Sequence, residues 1–215
     1  MLKKLSEEKQ AEILHCGISE FAAHGIDGTA MQTVAKKAGI SVGVLYKYYA
    51  DKDAFFSACL HQGRGELETF LRGLIATTDK PLGYARSLIG ELLHYSREHG
   101  DTIRLYHRIT QGDDPALMHE IEDFTSRFYA DFIAKAQAQG AVRDDMDPGM
   151  LAFFFDNLLM MMQFSYSCPY YQERFKLYGG EQVMENDDYV TDQLLKFMES
   201  AFTFTRAEIP HGNEG

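Results

Sequence analysis

The sequence predicts an all-α protein, in which an N-terminal three-helix unit is followed by a larger helical domain, with about nine helices in total. Three observations carry this. Apolar residues recur at three- and four-residue steps through most of the chain, and glycines and Asp-Pro pairs interrupt those segments at helix-length intervals. No Asn-Gly turn flanked by alternating hydrophobics occurs anywhere. At 215 residues, 45% apolar and 25% charged, the chain can bury a substantial core.

Taken in order, Ala11, Leu14, Ile18, Phe21 and Ala22 share one face of a first helix, which His24-Gly25 is expected to end through a left-handed glycine. Thr29 with Gln32 three residues later is a capping-box pattern, predicting a second helix from about residue 30 to Gly39. Ser41 suits the N-cap of a third, and Asp51 and Lys52 separate it from a long fourth beginning near Asp53. Pro81, Asp114-Pro115 and Asp147-Pro148 read as first-turn prolines, while Gly100, Gly112, Gly140 and Gly179-Gly180 mark later breaks. The division expected is 1–52 for the small unit, 53–208 for the large domain and 209–215 for a flexible tail. No repeat at a period of 20 to 50 residues points to a solenoid.

Charge is distributed unevenly. The net charge is −11, yet residues 1–53 hold seven lysines against seven acids, so all the excess acid lies beyond them. Only the N-terminal end is suited to approach a polyanion. Three scattered cysteines, Cys16, Cys59 and Cys168, form no C-x-x-C pair and suggest neither a disulfide framework nor a zinc knuckle; a cytoplasmic protein is expected. The N-terminus lacks the apolar run of a signal peptide. The most apolar window, residues 150–164, is interrupted by Asp156, Asn157 and Gln163 and is too short to span a bilayer, so it reads as a buried helix and no membrane partner is expected.

The second and third helices with Gly39 between them have the form of a helix-turn-helix. Ala35 is small where the third helix crosses, Gly39 takes the turn, and Val34, Ile40 and Leu45 supply the apolar lock. Tyr46, Lys47 and Tyr48 follow Leu45 directly, so at roughly 100° per residue they point away from the core, where hydroxyl and ammonium groups reach phosphates. Gly43 is unfavourable in a helix interior by about 1 kcal/mol relative to Ala, and it permits close backbone approach to a groove wall. Thr29 and Lys52 are placed near helix starts that already favour phosphate.

The run "ILHCGISEFAAHGIDGTAMQTVAKKAGISVGVLYKYYADKD" resembles the N-terminal domain of the TetR family of bacterial one-component transcriptional repressors. Ile13, Phe21, Gly25, Thr29, Val34, Ala35, Gly39, Ile40, Ser41, Gly43, Leu45, Tyr46, Tyr49 and Lys52 carry the likeness in order and without a gap. The resemblance implies phosphate contacts from Thr29, Ser41, Tyr46, Tyr48 and Lys52, and base contacts from Val42, Gly43, Val44 and Lys47. It also implies a buried anchor at Tyr49. Cys16 and Gly17 depart from the usual alanines, Tyr48 from a frequent His, and Val42 and Val44 from polar or basic types. The two valines favour thymine-methyl contacts and an operator rich in A and T.

The same resemblance implies a homodimer whose large domain encloses a small effector, and hence a repressor released from a palindromic double-stranded DNA operator. For the effector, of unknown identity but expected to be small and largely apolar or aromatic, the candidate residues are Phe154, Leu158, Met161, Met162 and Tyr166, with His94, Tyr106 and His107 from the preceding segment. Ordinary core packing is the competing use of these side chains, and a surface ion pair that of His94 with Glu98. For the dimer the candidates are Phe155, Leu159, Val190, Leu194, Phe197, Met198 and Phe202, on two segments with surplus apolar surface. No cofactor or metal is expected. A helical enzyme, or an interaction module keeping the helix-turn-helix as scaffold, is the alternative. The sequence carries no nucleophile elbow, phosphate loop, H-E-x-x-H or dinucleotide fingerprint, and no catalytic residue is nominated.

Overall fold

Most of the helices begin where a side chain accepts from a free amide of the first turn or a proline leaves one fewer to satisfy. In the computed structural model, which describes residues 5–76, 81–111 and 115–203, Ser6 accepts from the Lys9 amide and opens α1 (Glu7–Gly28). Ser41 accepts from Val44 to open α3 (Val42–Tyr48), and Asp51 from Ala54 to open α4 (Lys52–Ala76). Asp147 accepts from Met150 to open α8 (Pro148–Ser167), and Asn186 from Tyr189 to open α10 (Asp187–Phe202). Prolines lead α5 (Pro81–Glu98), α7 (Pro115–Ala138) and α9 (Pro169–Gly179). The remaining helices are α2 (Met31–Lys37) and α6 (Gly100–Ile109), and a short 3-10 turn spans Glu181–Glu185. The described residues thus hold ten α-helices, one more than expected, and no strand. Asp114, Gly112 and the expected 209–215 tail lie outside the described residues.

Two expectations for the first helices are corrected. Gly25 does break α1, at φ 71° and ψ −179°, a backbone open only to glycine, but helical residues resume and run to Gly28. Thr29 does not cap α2 but ends α1 as its C-cap: the N-cap position of α2 is Ala30, which makes no side-chain cap. The Thr29 hydroxyl instead donates to the carbonyls of Gly25 at 2.7 Å and Glu20 at 3.2 Å, tying the chain across the glycine break.

Two apolar cores organise the rest. The smaller one holds Ile13, Ile18, Phe21, Val34, Ala35, Ala38 and Leu45, and Phe21 packs edge-on against Phe56 at 5.0 Å. It does not stop at residue 52. Phe55, Phe56 and Cys59 from α4 and Leu105 and Ile109 from α6 belong to it, so α4 runs through both units. The larger core gathers Leu71, Leu88, Leu92, Ile133, Phe155 and Leu159 with Val190, Met198 and Phe202. Within the small core Gly17 has a steric cause. A Cβ there would lie 2.5 Å from both Cys59 Sγ and a Phe55 ring atom. Among the described residues no helix is long and apolar enough to cross a membrane.

Candidate functional site

The third helix stands on the second at a tight turn. Gly39, at φ 67°, allows the Ile40 amide to reach the Ala35 carbonyl at 2.9 Å, and Ala35 and Ala38 are small and buried beneath the crossing. Leu45 is buried, which fixes the rotation of α3 and turns Tyr46 (45% exposed), Lys47 and Gly43 outward. Val42 and Val44 are half-buried, Val42 packing in part on the small core. Tyr49 meets Phe55 edge-on at 4.9 Å. Two of the outward groups are held in place by the chain. The Tyr48 hydroxyl accepts from the Leu5 amide at 2.8 Å, which leaves its proton available to an outside acceptor. The Lys52 ammonium donates to the carbonyls of Ile26 at 2.7 Å and Thr29 at 3.3 Å and has a third proton remaining. Thr29 itself is buried with its proton committed inward, so its expected phosphate contact has no donor from the side chain.

A cavity of about 70 Å³ opens among α4 to α8. Its walls are largely apolar, with Leu67, Leu71, Leu105, Ile109, Leu159 and Met160 among them. The polar exceptions are Tyr95, Tyr106, Thr125, Tyr129, Asp156 and Gln163, with Arg64 and Thr102. The Tyr106 hydroxyl donates to the Glu122 carboxylate. Burial, and to a lesser degree the Glu122 charge, pushes the Asp156 carboxyl up to about 7. The Tyr95 hydroxyl is buried without a hydrogen-bond partner among the described residues.

The cavity and the small core share walls. Cys59, Leu105 and Ile109 belong to both. Between Leu105 and Ile109, Arg108 donates to the carbonyls of Ala22 at 2.7 Å and Ala23 at 3.0 Å, just before the Gly25 break. His15 on α1 meets Glu66 on α4 at 2.6 Å.

Of the eight residues expected to line an effector site, Tyr106 lines this cavity. The others are placed elsewhere by the rotation of their helices. On α8 the cavity-facing residues are Asp156, Leu159, Met160 and Gln163; at 100° per residue Phe154 and Met161 fall on the outer surface. Leu158 and Met162 turn into the large core. Tyr166 donates to Asp187 at 3.0 Å beneath the Arg97 guanidinium, and His107 packs edge-on against Phe164 and Tyr171. His94 is exposed and pairs with Glu98 at 3.3 Å. The dimer set is corrected in the same way. Phe155, Leu159, Val190, Met198 and Phe202 are buried in their own chain and Leu194 half-buried, leaving Phe197 exposed. The surplus apolar face is instead Met150, Phe153, Phe154 and Met161 on α8, with Tyr189 and Phe197 on α10.

Sequence reasoning missed Asp156 and Gln163. Their signal was present: two polar residues seven apart, hence on one face, in the most apolar helix of the chain. The walls supplied by α4 and α7 carried no such signal.

Residues 13–59 match the family model described as bacterial regulatory proteins, tetR family. The transcriptional repressor SCO4008 of Streptomyces coelicolor is 27% identical over 146 residues, covering 67% of this chain and 68% of the relative. The regulator RutR of Escherichia coli is 30% identical over 121 residues, 55% of each chain. The solved structure of AibR, in complex with isovaleryl coenzyme A and operator DNA, has the same fold at a TM-score of 0.66 and 19% identity, covering 89% of this chain and 97% of that one. The helix-turn-helix geometry in residues 31–48 and the matched segment around it identify residues 13–59 as a DNA-binding domain of the tetR family of bacterial regulatory proteins.

Proposed function

We propose that the protein is a homodimeric repressor that binds a palindromic operator and is released by a small, largely apolar effector held among α4 to α8. The observation that carries the reading is the shared wall. Cys59, Leu105 and Ile109 face the cavity and also support the small core, so any molecule that repacks the cavity bears directly on the DNA-reading unit. Arg108 is the polar counterpart of that tie. The name of SCO4008 as a repressor supports repression here, and the isovaleryl coenzyme A and operator DNA in the AibR complex support a regulator that takes up both a small molecule and DNA.

On the reading face, Ser41, Tyr46, Tyr48 and Lys52 are assigned to phosphates and Val42, Gly43, Val44 and Lys47 to base edges. Thr29 acts behind them by fixing the Gly25 turn on which the Lys52 bridge rests. Gly43 supports this assignment. Among the described residues a Cβ there would meet Ser41 Oγ alone, at 3.9 Å, so no contact among them calls for a glycine, and close approach of a DNA groove gives it a use. The dimer forms along the exposed stripe of Met150, Phe153, Phe154 and Met161 with Tyr189 and Phe197, since two helices from each subunit bury such a face in a four-helix contact.

Selection of bound sequences from a random DNA pool tests the operator. The expected result is an inverted repeat with A·T-rich half-sites about one helical turn apart; salt-dependent binding without a selected sequence would refute it. Phe154→Glu combined with Phe197→Glu tests the dimer, and is expected to give a monomer by sedimentation, with helicity kept and operator affinity lost. A dimer unchanged by both substitutions places the interface elsewhere.

A further inference from the structure

The cavity has a chemical bias that a purely apolar effector leaves unexplained. Asp156 stands in its wall at the middle of the most apolar helix, and among the described residues it makes no hydrogen bond and no ion pair. A structural carboxyl at such a position normally meets a donor or a cation. The charged group that acts on it is a second acid, Glu122 on α7, which Tyr106 holds by a hydrogen bond. Arg64 is the cation of the described lining, and it donates to the Glu120 carbonyl at 2.7 Å. Tyr129 presents a further aromatic ring to the lining, and the buried Tyr95 hydroxyl has a lone pair with no donor. No group of three metal-ligating side chains occurs among the described residues, which leaves an inorganic cation without a cage.

Resting on the effector reading above, we propose that the effector is an organic cation, a largely apolar body carrying a protonated amine, with Asp156 as its counter-charge. An ammonium supplies the donor that Asp156 lacks, and it gains from the nearby Glu122 charge and from the faces of the tyrosines. An anionic ligand of the same shape meets two carboxylates instead. The groups facing Asp156 are Glu122 and Tyr129 from α7 and Tyr106 from α6. The phenols are held well above the usual tyrosine range by burial and stay neutral, so the carboxyl titrating near 7 sets the pH dependence of binding.

The test uses the full-length chain and three probes of one shape: 4-phenylbutylamine, 4-phenylbutanol and 4-phenylbutyrate. Calorimetric titration at pH 8, with the Met160 methyl resonance reporting occupancy of the cavity, is expected to rank amine, alcohol and acid in that order, the amine about tenfold ahead of the alcohol. The amine stays protonated at pH 6 and 8, so its affinity is expected to fall roughly tenfold between pH 8 and pH 6 as Asp156 takes up a proton, while the alcohol is unaffected. Asp156→Asn is expected to abolish the amine's advantage. Because the ranking on the unmodified chain decides the matter, a folding defect in that variant does not obscure it. Saturable binding of alcohol or acid with no advantage to the amine overturns the charge assignment and leaves the effector cavity standing. No saturable binding by any of the three overturns both.

Discussion

The small core and the cavity are built partly from the same helices, and they treat polar groups in opposite ways. In the small core the buried Glu20 carboxylate meets Lys37, the Thr29 hydroxyl meets two carbonyls, and Gly17 gives up its side chain so that Cys59 and Phe55 close against α1. Around the cavity, Asp156 and the Tyr95 hydroxyl have no such partner and the space between the walls stays open. Closed packing has few alternative arrangements and moves as a unit, whereas an unfinished wall gains free energy from whatever completes it. This division suits a rigid reader attached to an adjustable sensor.

The largest expected effect breaks the closed side. Gly17→Ala places a methyl group 2.5 Å from Cys59 Sγ and the Phe55 ring, and both neighbours are fully buried with little room to yield. Overpacking of this kind is expected to lower stability by roughly 2 to 3 kcal/mol in urea unfolding. A loss under 0.5 kcal/mol would mean that the small core is as adaptable as the cavity, and the contrast would fail. It also gives a physical reason for a glycine where family members commonly carry alanine.

The open side responds in the other direction. The Asp156 value is raised from 3.8 to about 7, so the folded chain binds more protons than the unfolded chain between those limits. The contribution is most favourable below the unfolded value and is lost as pH rises through about 7. Asp156→Asn cannot ionise. Its stability relative to the parent is therefore expected to rise by roughly 2 to 3 kcal/mol between pH 5 and pH 8, read from urea midpoints at the two pH values. A constant difference would show that Asp156 is already neutralised by a group of its own chain.

The same contrast explains how much was legible in the sequence. The small unit depends on local signals: a glycine at the turn, a serine cap, small alanines under a crossing and one leucine that orients α3. Each of these acts within a few residues of itself, and the fold class followed from the same kind of periodicity. The cavity depends on the relative rotation of α4, α6, α7 and α8, which no local pattern specifies. Thus Phe155 and Leu159, plausible for an interface on apolar content alone, face inward, and Phe154 and Met161, plausible for a pocket, face outward. Thr29 failed for a related reason. Its capping pattern is locally correct, but the Gly25 break brings two carbonyls closer to its hydroxyl than the amides of α2.

A smaller effect is expected at the tie between the two regions. Arg108→Leu keeps the aliphatic part of the side chain and removes both donors to Ala22 and Ala23, at a cost of about 1 to 2 kcal/mol. The informative measurement is local. Amide exchange is expected to accelerate between residues 22 and 29 and to remain slow in α8. Equal acceleration in both places would mean that the two regions open together and do not behave as reader and sensor.

The smallest effect concerns the reading face alone. Lys52 has two of its three protons on the Ile26 and Thr29 carbonyls, so its charge is fixed beside the helix-turn-helix at the start of α4. Lys52→Ala is expected to weaken binding to every DNA sequence by about 1 kcal/mol and to reduce the slope of log affinity against log salt by about one. Fluorescence anisotropy over a salt series reads both quantities. The Ile26 carbonyl left behind is exposed and hydrated at little cost and the Thr29 carbonyl is part-buried, so stability is expected to fall by no more than about 1 kcal/mol. Amine binding in the cavity should not change at all. If the substitution altered cavity affinity while leaving the salt slope intact, Lys52 would belong to the linkage between regions, and the phosphate contact assigned to it would have to pass to Tyr48.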